Sequence, residues 1–135
     1  METKVLIVGI VRNGDKVLMR KKPAGSSPYA ETWYIFGAEL KSGIDVDTAI
    51  KEQVRNQAGV EINVAERFSW DTEVKHDLDG VEKQFVYLDI LCDYASGDLI
   101  MGEGIEKLEF VPVSNLNNYD VVPPSVSVFK KLGWM

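Results

Sequence analysis

Residues 33–62 read WYIFGAELKSGIDVDTAIKEQVRNQAGVEI, and the fold turns on how this stretch divides. An apolar, aromatic run ends at the turn Phe36-Gly37-Ala38, and Asp45 is a natural N-cap for the good helix formers that follow. That helix runs to Ala58, where Gly59 can adopt the left-handed conformation that closes one. Strand, turn, loop, helix and strand therefore follow in order. At about 100° per residue, with Ile50 centred on the apolar face, Val46 and Val54 fall about 40° to either side, Gln57 about 20° away and Gln53 about 60° away. Two amides thus lie inside the apolar arc, with Asn56 beside them. Burying an unsatisfied amide costs about 1–3 kcal/mol, so these side chains must find hydrogen-bond partners or line a cavity.

On the N-terminal side, KVLIVGIV (4–11), the tight turn NGD (13–15) and KVLMR (16–20) form a hairpin signal. The loop KKPAGSSPYAET (21–32) separates it from Trp33. On the C-terminal side, INVAERFSWDTEV (62–74) and EKQFVYLDILCDY (82–94) alternate apolar and polar residues across the turn HDLDG, and are expected as a long antiparallel pair. LEFVPV (108–113) is a further strand, and SVSVFKKL, ending at Gly133 after two prolines, makes a closing helix. Antiparallel hairpins mixed with helices give the class α+β.

The chain has 135 residues with 45% hydrophobic content, the size of one domain (1–135) able to bury a core. A net charge of −6 argues against nucleic acid or an anionic membrane surface as partner, so any phosphate site must be local. With Cys92 the only cysteine, no apolar run of membrane-spanning length and no secretory pattern at METKVLIVGIVRNGDK, a cytoplasmic protein is expected, either monomer or homodimer.

The order of a Trp, a glycine turn, a spaced helix and a closing Gly plus aliphatic resembles the Nudix hydrolase (MutT-like) superfamily. Its box reads G, five residues, E, seven residues, then R-E-U-x-E-E-x-G-U with U aliphatic. Anchored on Gly59 and Val60, the box places Ala38 at the first glycine, Ile44 at the loop glutamate and Glu52 at the arginine. Gln53, Val54, Asn56 and Gln57 then stand at the following E, U, E and E. A register one residue N-terminal aligns Gly37 and Lys51-Glu52 instead, and turns Val54 away from the core. The resemblance extends along the entering hairpin, the late strand and the closing helix, and implies an α/β/α sandwich with a mixed β-sheet.

In that family the box glutamates hold Mg²⁺ or Mn²⁺, which bridge a substrate diphosphate. Hard divalent cations favour charged oxygen ligands, and an amide offers only a neutral carbonyl oxygen. The resemblance therefore implies a degenerate pyrophosphohydrolase, with no cofactor expected and metal-dependent catalysis weak or lost. Such a protein would bind a nucleotide or diphosphate as a small-molecule ligand. Restoring glutamate at 53, 56 and 57 together would crowd like charges and recover Mg²⁺ affinity. The alternative is an active enzyme with rearranged carboxylates: Glu39, Glu52, Gln53 and Gln57 as metal ligands, and Glu52, Glu103 or Glu106 in catalysis. Candidate ligand-binding residues are Arg20, Lys22, Trp33, Gly37, Ala38, Glu39, Gln53, Asn56 and Gln57. Tyr29 and Trp70 are further stacking candidates. His76 reads as a loop residue and Cys92 as core.

Overall fold

The computed structural model describes residues 1–25 and 31–135, so Tyr29 lies outside the described residues. The elements are β1 (Thr3–Asn13), β2 (Lys16–Lys21), β3 (Trp33–Tyr34), β4 (Phe36–Glu39), α1 (Val46–Ala58), β5 (Glu61–His76), β6 (Glu82–Ser96), β7 (Lys107–Pro112), a short 3-10 helix (Val113–Asn118) and α2 (Pro123–Lys131). The helix α1 begins and ends where its caps require. The Asp45 carboxylate accepts the Thr48 N–H at 3.0 Å, and Gly59, at φ 74°, donates its N–H to the Arg55 carbonyl. The last strand stops at Pro112, one residue short of the expectation, because Val113 opens the 3-10 helix. The closing helix starts two residues earlier than expected: Pro123 and Pro124 occupy its first turn, where a missing N–H costs nothing.

Among the described residues seven strands form one mixed sheet, with central order β3-β2-β1-β6-β5. β5 and β6 make the expected long antiparallel pair, interrupted by register shifts, whereas β1 and β6 run parallel from Thr3↔Gln84 to Arg12↔Asp93. β1 pairs with β2 only at Arg12↔Val17 and Asn13↔Lys16. Further along, the same edge of β1 is taken by β4, and β2 turns to β3 and β7. The sheet therefore divides between β1–β4 and β2–β3.

Alternation along the strands splits the core into two layers. Ile7 and Val11 of β1, Leu18 of β2, Phe36 of β4, and Ile90 and Cys92 of β6 pack with Ile50, Val54 and Ala58 of α1. Ile10, Val17, Met19 and Leu91 face the opposite way, onto Val128 and Phe129 of α2. Helices on both faces of a mixed sheet make the α/β/α sandwich. Ile50 and Val54 are fully buried, the outcome of the register anchored on Gly59 and Val60. No helix among the described residues is long and apolar enough to cross a membrane.

Candidate functional site

Arg20 ends the buried run of β2 on the face of Leu18, directed at α1, and only 6% of its surface is exposed. Its Nη1 donates to Gln57 Oε1 at 3.0 Å, and its Nη2 donates to the Ile35 carbonyl, between β3 and β4, at 2.9 Å. The guanidinium lies 4.1 Å from the Tyr34 ring centroid and 4.7 Å from that of Phe36. Its Nε is buried without a partner. Burial lowers its pKa from an ordinary value near 12.5 to about 10, the Tyr34 hydroxyl opposing this slightly, and no carboxylate contributes. Lys22, two residues on, stands 5.0 Å from the same Tyr34 ring, and its pKa is lowered by burial and then by the Arg20 charge.

The amides of α1 differ among themselves. Gln57 is half-buried and engaged by Arg20; Gln53, one turn back and also half-buried, keeps its Oε1 buried without a partner; Asn56 is exposed. The segment after β6 lies over the end of this helix. Gly102 donates its N–H to the Gln57 carbonyl at 2.9 Å, and Ile100 donates to the Ala58 carbonyl at 2.8 Å. A Cβ at Gly102 would stand 2.7 Å from the Asn56 carbonyl oxygen and 2.8 Å from Gln57 Cα, so glycine is required by close approach of backbone.

The expected replacement carboxylates are not brought together. Glu39 is exposed and pairs with Lys4 at 3.7 Å, and Glu106 pairs with Lys21 at 3.6 Å. Glu52 and Glu103 are exposed, as is Ile44. Among the described residues no three His, Cys, Asp or Glu side chains are grouped to hold a metal ion. A neutral amide bound to a guanidinium, beside a second amide, does not suit a hard divalent cation, which seeks anionic oxygens. The residues at the box positions therefore do not fit the metal that the resemblance implies.

Arg20 also lines a cleft of about 560 Å³ on the α2 face, with Ile35, Phe36 and Gly37 from the break in the sheet and Asp89 and Lys131 from the far wall. That volume falls within the range of small-molecule sites. Asp89 is buried there, its carboxylate accepting from Ser69 Oγ at 2.6 Å and from Lys131 Nζ at 3.4 Å. Across the wall the Tyr87 hydroxyl donates to the Glu73 carboxylate. Of the sequence candidates, Arg20 and Gly37 line this cleft, while Ala38 packs against the α1 core. Trp33 stacks edge-on with Tyr119 at 5.2 Å in the α2 layer, and Trp70 is 73% exposed. His76 is exposed. Cys92 is buried, its thiol pushed up to about 12 chiefly by burial, as a core residue should be. Sequence reasoning passed over Asp89 and Lys131. The one available signal was an acid interrupting the apolar run of YLDILC.

No protein-family model matches the chain. It is similar to the nucleoside triphosphatase NudI of Escherichia coli, at 20% identity over 127 residues, covering 90% of each chain. Its structure superposes on a MutT NUDIX hydrolase from Burkholderia pseudomallei with a TM-score of 0.78, at 14% identity, covering 98% of this chain and 99% of that one. It also superposes on the NUDIX domain of Shewanella oneidensis NrtR in complex with ADP ribose, with a TM-score of 0.70, at 11% identity, covering 98% of this chain and 86% of the other.

Proposed function

Because this chain has the Nudix hydrolase fold, we propose that it binds a nucleotide or related phosphoanhydride in the cleft beside Arg20 and has little or no metal-dependent hydrolysis. One observation carries the reading: Gln57, at a position where the family's helix bears a metal-binding acid, is neutral and its acceptor is held by a buried guanidinium. The cleft has the volume of a small-molecule site, and the NrtR domain of similar fold takes ADP ribose. Arg20, Lys75 and Lys131 bring positive charge to its lining beside the carboxylates of Asp71, Glu73 and Asp89, and Gly37 lets a ligand approach the backbone.

A thermal-shift screen against nucleoside mono-, di- and triphosphates, ADP ribose and dinucleoside polyphosphates, with Mg²⁺ and with EDTA, tests the proposal. At least one compound should raise the melting temperature in both conditions, since a ligand that binds the folded state alone stabilises it by mass action. Phosphate or nucleotide release should stay at background. Turnover that EDTA abolishes would overturn the reading and direct attention to Glu39, Glu52, Glu103 and Glu106.

A further inference from the structure

We infer that Asp89, with Lys131 beside it, is the specificity-determining residue of the cleft on the α2 face, and that the base it selects is guanine. The inference rests on the proposed function and names the part of the nucleotide that the Asp89 wall holds.

The register of the sheet puts Asp89 on the floor of the cleft. Val8 of β1 pairs with Asp89 of β6 on one side and with Gly37 of β4 on the other, and all three line the cleft. Neighbouring strands lie about 4.8 Å apart, so Gly37 and Asp89 stand about 10 Å from each other with Val8 between them. Gly37 adds no side chain, and a Cβ there would meet nothing closer than the Ile7 carbonyl oxygen at 3.5 Å, so the floor is open at that end. Pro123, Pro124 and Val128 of α2 supply the apolar facing wall. Such a slot suits a planar ring, whereas a sugar would set its hydroxyl groups against apolar surface.

Charge decides which end of a nucleotide lies there. The carboxylates of Asp71, Glu73 and Asp89 repel phosphate groups from this wall. Asp89 is buried and its charge is balanced by Lys131, so what its carboxylate lacks is hydrogen bonds. A carboxylate accepts about four. Two reach Asp89, from Ser69 Oγ at 2.6 Å and from Lys131 Nζ at 3.4 Å, and both fall on Oδ2; among the described residues no donor reaches Oδ1. Lys131 Nζ is also 3.4 Å from Asp71, a long contact to each acid, which leaves N–H groups for a carbonyl of the ligand.

A cationic donor beside a bare carboxylate is the complement of one base edge. Guanine offers O6 to the ammonium, and its ring N1–H and exocyclic amino group to the carboxylate. Adenine and cytosine turn a ring-nitrogen lone pair toward the acid, and uracil sets a second carbonyl against it. Hypoxanthine has the N1–H and lacks the amino group. A buried site built to receive N–H donors rejects a base that lacks them, because its own polar atoms are then left unpaired.

The test is isothermal titration of the full chain in EDTA with the diphosphates of guanosine, inosine, adenosine and uridine, and of Asp89→Asn with the diphosphates of guanosine and xanthosine. The parent should bind the guanosine compound about ten- to a hundredfold more tightly than the inosine compound, the factor for one lost hydrogen bond to a charged group. An asparagine offers one acceptor and one donor, which match N1–H and the O2 carbonyl of xanthine, so Asp89→Asn should turn the preference to xanthosine. An ion pair that only tied α2 to the sheet would leave base preference unmoved. Equal binding of the guanosine and inosine compounds, a preference for adenosine or uridine, or an Asp89→Asn variant that still favours guanosine would overturn the inference. Where Asp89→Asn does not fold, the guanosine-to-inosine ratio of the parent decides alone. Equal affinity for all four leaves the proposed function standing, whereas no binding of any of them removes the proposed function and the inference together.

Discussion

Replacing Gln57 by glutamate should make the protein more stable, against the usual rule that an acid placed on a half-buried helix face is destabilising. The lowering of Arg20 from 12.5 to about 10 by burial corresponds to about 3 kcal/mol of penalty on the charged form, at about 1.4 kcal/mol per tenfold change in proton affinity. The sign follows from linkage. The unfolded chain holds this proton more tightly than the folded one, so the penalty is fully present at neutral pH and fades only as pH rises past about 10. A carboxylate in place of the amide oxygen, 3.0 Å from Nη1, recovers part of the penalty and loses part to its own desolvation. The expected net gain is about 1–2 kcal/mol, or about 4–8 °C in melting temperature. Urea unfolding at neutral pH followed by circular dichroism reads it. The new carboxylate, held below its unfolded value of about 4.3, should give its full gain above about pH 5 and lose it as pH falls through the folded value. Gln53→Glu, whose position has no cation bonded to it, should instead lose stability. Equal effects at the two positions, or a loss at 57 with a gain at 53, would refute the placement of Arg20 against Gln57.

Two further outcomes test the supporting frame. Ile50→Ala removes three carbons from a fully buried side chain so close to β1 that a Cβ at Gly9 would lie 2.6 Å from its Cδ1. The transfer term alone is about 2.4 kcal/mol, and a backbone wall cannot collapse to fill the hole, so about 3–4 kcal/mol should be lost; the exposed Asn56→Ala should cost under about 1, and equal shifts in urea midpoint would place the helix face wrongly. Gly102→Ala should cost about 1–3 kcal/mol and release the 98–102 segment from the end of α1, read as faster limited proteolysis and hydrogen exchange there; an unaltered exchange pattern would show that the close approach is not required.

The structure changes one expectation drawn from the box. Restoring acids at 53, 56 and 57 was read as a single event, three carboxylates repelling one another until Mg²⁺ arrives. The three positions are not equivalent in the fold: Asn56 is exposed, Gln53 is half-buried with a bare oxygen, and Gln57 faces a cation. An acid at 57 would have Arg20 as its partner, so it should add stability and bring less negative charge to a metal than an acid at 53 or 56. Helical spacing revealed which side chains share a face, and could not reveal what that face meets.

Everything that depends on neighbours in the chain was legible in the sequence: Asp45 and Gly59 bounding α1, the Asn13–Asp15 turn, the alternation in β5 and β6, and Cys92 in the core. Caps, turns and periodicity act over a few residues, so local composition encodes them. The site depends on contacts that no local pattern records. Arg20 and Lys22 stood as ligand-binding candidates in a run of three basic residues, and that run does not tell the environments of its members apart: Lys21 pairs with Glu106 while Arg20, facing the other way, is buried against a residue 37 positions later. Its burial follows from the divergence of β2 from β1 and the parallel pairing of β1 with β6, which carry the strand ends past α1 and open the cleft toward Asp89 and Lys131. Strand pairing across the sheet decides which charges meet, because Coulomb energy follows distance and burial in space, whatever the separation along the chain.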